Sequence, residues 1–185
     1  MRPKTKTTIK MATKYQKDDQ KGREIFKAFV KENPEFKFIK ESKDEFSPWD
    51  VSFTNKRENY IGEIKIRKYK STTFNDWYLQ TDKYEKLKEL QSKIPNSKIS
   101  YINFFDDNMT LIWNLDEIDF SKIETGLREL QENDYDETTV LKPVFLLPHS
   151  LAHKFETEQS KSIFNKIEEL KAKYQQDEEE DKFPF

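Results

Sequence analysis

The sequence predicts a mixed α/β domain in which a helix, three strands, a second helix and two further strands follow one another. Three observations lead there. Apolar residues recur at helical spacing over residues 22–32 and again over 79–90. Residues 60–67, Tyr-Ile-Gly-Glu-Ile-Lys-Ile-Arg, alternate as a strand does. Residues 99–105 and 109–113 are apolar runs on either side of the polar turn Asp106-Asp107-Asn108.

In chain order, Ile25, Phe26, Phe29 and Val30 form the stripe of the first helix, with Asp18 or Asp19 as its expected cap. Asn33-Pro34 ends it, because the residue before a proline is driven out of the helical region. Phe36-Lys37-Phe38-Ile39 reads as the first strand, and Asp50-Val51-Ser52-Phe53-Thr54, entered through Ser47-Pro48-Trp49, as the second. In the third, residues 60–67, Glu63 and Lys65 share a face while Ile64 and Ile66 point the other way. The second helix is expected to begin at Asn75 or Asp76, to carry Leu79, Tyr84, Leu87 and Leu90 on one face, and to break at Pro95-Asn96.

Beyond residue 115, Ser121-Lys122-Ile123-Glu124 has the form of a capping box for a short helix. Residues 144–147 read as a buried strand or an apolar plug, stopped by Pro148. Ile163, Phe164, Ile167 and Leu170 give an amphipathic final helix that would dock on the core or pair with a second copy, making a homodimer. The expected organisation is a flexible basic arm over residues 1–17, an α/β core over 18–115, a helical C-terminal extension over 116–175 and an acidic tail over 176–185.

A hairpin between the second and third strands would bring Asp50 and Glu63 together at one end of the sheet. Two carboxylates with Lys65 beside them form a hard-oxygen site suited to Mg²⁺ or Mn²⁺. A metal there would polarise a scissile phosphate and lower the pKa of a bound water. Lys65 would orient that water or offset charge developing on the phosphate. The tripeptide Glu-x-Lys recurs at Glu35, Glu41 and Glu169, but only the Glu63 copy lies in an apolar alternating run with an aspartate opening the preceding strand.

These residues, Pro48-Trp49-Asp50 followed by Glu63-Ile64-Lys65, resemble the PD-(D/E)XK nuclease superfamily. The resemblance covers roughly residues 18–115 and implies a restriction-endonuclease-like αβββαβ core, a mixed sheet flanked by helices. It implies that Asp50 and Glu63 bind the metal and that Lys65 is the catalytic lysine. Pro48 stands one residue further from the aspartate than the usual signature has it. Gln80-Thr81-Asp82-Lys83-Tyr84 fits the Gln-x-x-x-Tyr pattern of the RecB-like branch, in which the glutamine and tyrosine support the site. The same residues read otherwise place Tyr84 in the apolar stripe and Gln80 on the solvated face. Lys83 is an alternative phosphate contact. Glu24, in the first helix, matches glutamates that contribute to the metal site in several members of the superfamily.

Charge distribution points to DNA as the partner despite a net charge of −2. Residues 1–27 hold nine Lys or Arg against three acids. Lys56, Arg57, Arg67, Lys68 and Lys70 form a second basic block around the proposed site, as expected of phosphate contacts. Tyr69, Phe74, Trp77 and Tyr78 interleave with that block, either to stack on unpaired bases or to pack in the core. With no cysteine, disulfides and thiolate metal sites are excluded, and only 3 Gly and no Walker motif argue against ATP-driven chemistry. His149 and His153 are four apart but lack the intervening glutamate of a zinc-protease helix. No run has the length of a membrane span or signal peptide, so a cytoplasmic location is expected, that of the host if the chain is phage-encoded. The Lys/Phe/Asn-rich makeup suits such an origin.

The chain ends Asp177-Glu178-Glu179-Glu180-Asp181-Lys182-Phe183-Pro184-Phe185. This resembles the C-terminal tip of bacterial single-stranded-DNA-binding proteins, although Lys182 interrupts the acidic run. The resemblance implies that Phe183, Pro184 and Phe185 dock replication or repair proteins. The alternative is a solubilising tail. The expected activity is metal-dependent hydrolysis of DNA in recombination, repair or phage genome processing. The competing expectation is a non-catalytic DNA-binding or single-strand-binding accessory protein that recruits partners by its tail.

Overall fold

A computed structural model describes residues 14–43, 47–56, 58–131 and 138–156. Helix α1 (Lys14–Glu32) leads into a long hairpin system, β1 (Phe36–Glu41), β2 (Val51–Asn55) and β3 (Glu58–Arg67). Then come β4 (Asp76–Gln80), α2 (Thr81–Lys93), β5 (Ser97–Phe105) and β6 (Met109–Asn114). Three more strands follow, β7 (Thr125–Gln131), β8 (Thr139–Pro148) and β9 (His153–Glu156). The main sheet has six strands in the order β1-β2-β3-β5-β6-β9, and a second sheet has three in the order β4-β8-β7. All pairings are antiparallel except β3 with β5, whose parallel register sets Glu63 opposite Tyr101 and Lys65 opposite Asn103. The main sheet is therefore mixed, and the αβββ–αβ order of a restriction-endonuclease-like core is present.

Burial explains the layers. On one face of the main sheet Ile25, Phe26 and Phe29 of α1 pack with Phe53, Ile64, Ile102, Phe104 and Ile112. On the other, Leu87 of α2 and Trp77, Leu79 and Leu147 of the small sheet pack with Ile99, Tyr101, Phe105, Leu111 and Trp113. Aromatic rings carry much of the first cluster: Phe26 lies 5.1 Å from Phe53 and Phe29 lies 5.2 Å from Phe36, centroid to centroid. Gly22 lets α1 approach β3, since a Cβ there would sit 3.0 Å from Ile64 Cγ2.

Several expectations are corrected. Helix α1 begins at Lys14, so Asp18 and Asp19 lie inside it instead of capping it, and residues 14–17 are helical. Residues 76–80 are a strand, with alternating burial at Trp77 and Leu79, and α2 starts only at Thr81. The reason is β8, whose residues 144–148 pair with every position of β4 and supply the backbone partners that a first helical turn would otherwise provide internally. Ser121 does not cap a helix; Asp119 accepts from the Ser121 N–H at the start of a 3₁₀ turn, Phe120–Lys122. The described residues of 116–156, in the expected helical extension, form strands and 3₁₀ turns; β8 joins the small sheet and β9 the main sheet, so the fold is not divided at residue 115. The amphipathic helix expected over 163–170, the acidic tail with Phe183, Pro184 and Phe185, and Arg57 lie outside the described residues, as does most of the basic arm.

Candidate active site

Asp50 stands immediately before β2, where its backbone N–H donates to the Gly62 carbonyl (2.8 Å) and its carbonyl accepts from the Ser42 N–H (2.8 Å). Those two bonds fix the backbone, and the side chain then reaches β3: Oδ2 accepts from the Ile64 N–H at 2.7 Å. Gly62 sits closely in this packing: a Cβ would meet Ile102 Cδ1 at 3.0 Å and Ser100 Oγ at 3.1 Å. From α1, Arg23 places Nη2 3.4 Å from Asp50 Oδ1 and donates through Nη1 to the Ser42 carbonyl at 3.0 Å. Arg23 thus ties the helix to the loop that presents Asp50.

Glu63 lies on the opposite face of β3 from Ile64, where α2 and the small sheet cover it, and it is 2% exposed. Its two oxygens meet two different lysines, Lys65 Nζ at 2.8 Å and Lys83 Nζ at 3.2 Å. Lys65 comes from the same strand two residues on, and Lys83 from the first turn of α2. The two lysines are partly exposed while the carboxylate between them is not, so solvent and any ligand reach the cations first.

The electrostatics follow from this geometry. Burial raises the Asp50 carboxyl to about 7, and the neighbouring charge of Glu63 pushes the same way against Lys65 and the Ile64 N–H. Burial also penalises the Glu63 carboxylate, but Lys65 and Lys83 together outweigh it and hold the group below the usual range. Glu63 in turn raises Lys65, so that lysine is a cation near neutral pH.

No family model matches the chain, and no curated protein does. Among solved structures the chain is similar to Hjc, a Holliday junction resolvase from the archaeal hyperthermophile Archaeoglobus fulgidus, at 16% identity and a TM-score of 0.42, over 68% of this chain and 88% of that one.

The structure brings Asp50, Glu63, Lys65 and Lys83 to one site. Other expected residues have different partners. Glu24 is exposed on α1 and pairs with Lys27 at 2.9 Å, because the helical turn aims its neighbour Arg23 at Asp50 instead. Tyr84 packs its ring 4.1 Å from Phe120 and 5.5 Å from Phe145, which is the core reading of that residue. Gln80 ends β4, paired with Val144, and is not on the helix.

The basic block also divides. Arg67 is 8% exposed and is no phosphate contact: it donates to Asn103 Oδ1 and to the Tyr101 hydroxyl, each at 2.7 Å, and to the Tyr78 carbonyl at 3.2 Å. Lys56 occupies the β2–β3 turn with φ of 55°, at the far end of the hairpin from Asp50. Lys68 and Lys70 remain exposed beyond the end of β3. His149 accepts from Trp77 Nε1 at 2.6 Å with the two rings nearly coplanar, edge to edge, and His153 lies on β9. Arg23 is the residue that sequence reasoning missed. Its helix announces itself by an apolar stripe, and nothing in that stripe marks which polar neighbour faces the sheet edge.

Asp50 and Glu63 supply hard oxygen donors of the kind Mg²⁺ or Mn²⁺ takes. The charge of Glu63 that helps raise Asp50 is repulsion a divalent cation would relieve. Among the described residues no group of three or more His, Asp or Glu converges, and Asp50 and Glu63 are the two acids of this site. That number suits Mg²⁺, which is commonly held by one or two carboxylates together with substrate phosphate and water. The donor set fits the metal.

Proposed function

We propose that this protein is a metal-dependent nuclease that hydrolyses phosphodiester bonds in DNA, in the context of recombination, repair or phage genome processing. The observation that carries the reading is the burial of Glu63 between two partly exposed lysines beside a second buried carboxylate, Asp50. A purely structural ion pair has no need of a second cation and a second acid at the same point. Buried charges that merely stabilise are often replaceable by apolar groups at no cost.

In this reading Asp50 and Glu63 hold Mg²⁺ or Mn²⁺, which supplies Lewis-acid activation of the phosphate and of a water. Arg23 keeps the Asp50 carboxylate aimed at the site while the Ile64 N–H orients its other oxygen. Lys65 and Lys83 bind the non-bridging phosphate oxygens and offset the charge that develops as the bond breaks. The proton of the attacking water leaves to solvent or to the phosphate.

The test is a cleavage assay with Mg²⁺ or Mn²⁺ on linear duplex, single-stranded, flapped and four-way-junction DNA, using wild type, Asp50→Ala and Lys65→Ala. Cleavage by wild type that is lost in both variants and in chelator supports the reading. Binding without cleavage under either metal overturns it in favour of the accessory DNA-binding protein.

A further inference from the structure

The loop between β3 and β4 exposes two aromatic rings that the core does not use. Tyr69 and Phe74 are 53% and 49% exposed, yet they pack edge-to-face with centroids 5.5 Å apart. Both rest on Trp77, which is buried: Phe74 at 5.3 Å and Tyr69 at 6.5 Å. The loop is braced from beneath. Ser71 is buried and donates through N and Oγ to Asp107 Oδ2 at 2.9 and 2.8 Å, while the Asp106 N–H donates to the Tyr69 carbonyl at 3.1 Å. Trp77 Nε1 reaches the Ser71 carbonyl at 3.3 Å, and the Thr73 N–H closes a turn on the Lys70 carbonyl at 3.0 Å. Two large apolar rings held in water by so many bonds form a preformed surface, not a loose loop.

Charge and position identify what would lie on it. Lys68 and Lys70 are exposed on either side of Tyr69 and have no ion pair among the described residues. Of the two acids in the turn beneath, Asp107 is engaged by Ser71, and Asp106 meets the Tyr69 carbonyl through its backbone. The excursion that carries the loop leaves the site at Lys65 and returns to it at Lys83, and both lysines contact Glu63. Arg67 bridges the two arms midway through its bond to the Tyr78 carbonyl. Tyr69 stands four positions after Lys65, and Phe74 stands nine from both Lys65 and Lys83, so the chain holds Tyr69 within about 14 Å of Lys65. Flat aromatic faces flanked by cations, a short distance along the path from a phosphate site, suit a strand whose bases are unstacked and whose backbone is charged. A paired duplex presents no free base face to them.

We propose that Tyr69 and Phe74, with Lys68 and Lys70, form a stacking platform for unpaired nucleotides. The platform directs the protein to DNA with a single-stranded segment beside the cut. This deepens the nuclease reading in its substrate class and rests on that reading only for the identity of the ligand as DNA.

The test is binding of fluorescently labelled single-stranded, flapped and blunt duplex DNA by the full chain in chelator. The proteins are wild type, Tyr69→Ala/Phe74→Ala and Tyr69→Leu/Phe74→Leu. The leucine variant keeps apolar surface and fold while removing the π faces. Loss of single-strand and flap affinity by about tenfold or more in both variants, with duplex binding unchanged, is the expected result. Unchanged single-strand binding in a leucine variant that melts like wild type overturns the proposal. So does retention by leucine of all that alanine loses, or self-association of wild type that the variants abolish, which would assign the rings to a second copy. Because no metal is present, the outcome is independent of cleavage. A protein that cuts no DNA in Mg²⁺ can still pass this test, and one that cuts can still fail it.

Discussion

Lys83 Nζ lies 3.2 Å from one oxygen of Glu63, on the side of the carboxylate that Lys65 leaves open. One lysine is placed by strand β3 and the other by the first turn of α2, so the pair depends on α2 starting where it does. The carboxylate is buried, and each cation meets a different one of its oxygens.

Removing these cations should separate catalysis from stability. Lys65→Ala and Lys83→Ala are each expected to lower cleavage by about 100-fold or more, as loss of a positioned charge does. The double variant should unfold in urea with a loss of about 3–5 kcal/mol, because Glu63 is left buried and unpaired. Adding Glu63→Gln should restore much of that stability and no cleavage.

The Asp50 carboxyl, raised by burial to about 7 from 3.8, sets a pH dependence in metal-free protein. The group is raised in the folded state, so the stability its neutral form contributes is complete at low pH and is lost as pH rises through about 7. Urea unfolding of wild type and Asp50→Asn across that interval should show the variant gaining on wild type by a few kcal/mol. Affinity for Mg²⁺ should change in the opposite sense, rising in wild type as the carboxylate forms.

Arg67→Ala should behave as a core substitution. It strands Asn103 and Tyr101, and a loss of about 2–3 kcal/mol is expected in a denaturant melt. The salt dependence of DNA binding by the folded variant should match wild type, whereas Lys70→Ala should lower the slope by about one.

Gly62→Ala tests how tightly β3 is seated. The added methyl would meet Ile102, Ser100 and Phe53 at 3.0, 3.1 and 3.3 Å. Thermal melts should show a cost of about 1–3 kcal/mol. Since the Gly62 carbonyl holds the Asp50 N–H, cleavage should fall further than folding does, by up to about 100-fold.

The parts of this fold written in local periodicity were legible in the sequence, and those that depend on distant pairing were not. Glu63 and Lys65 could be assigned to one strand face because their alternation with Ile64 and Ile66 is contiguous. Asp50 and its neighbours follow for the same reason. Residues 76–80 satisfy a helix pattern equally well, and what makes them a strand is β8, whose pairing residues come more than sixty positions later. Arg67 looked like its exposed neighbours Lys68 and Lys70 because charge alone does not record that Tyr101, Asn103 and Tyr78 converge on one guanidinium. Lys83 was identifiable as a candidate cation, while its contact with Glu63 needed the helix to be placed.

The late strands β8 and β9 impose an order on synthesis. Both carboxylates and both lysines of the site emerge from the ribosome well before residues 139–156, which complete the edges at β4 and β6. Until then β4 lacks its partner and β6 has an open edge, the feature that invites wrong pairing between molecules. A truncation after residue 115 would make that transient state permanent. It would keep every residue proposed for catalysis and lose the partners that hold Gln80, and through it the start of α2 and Lys83, in register.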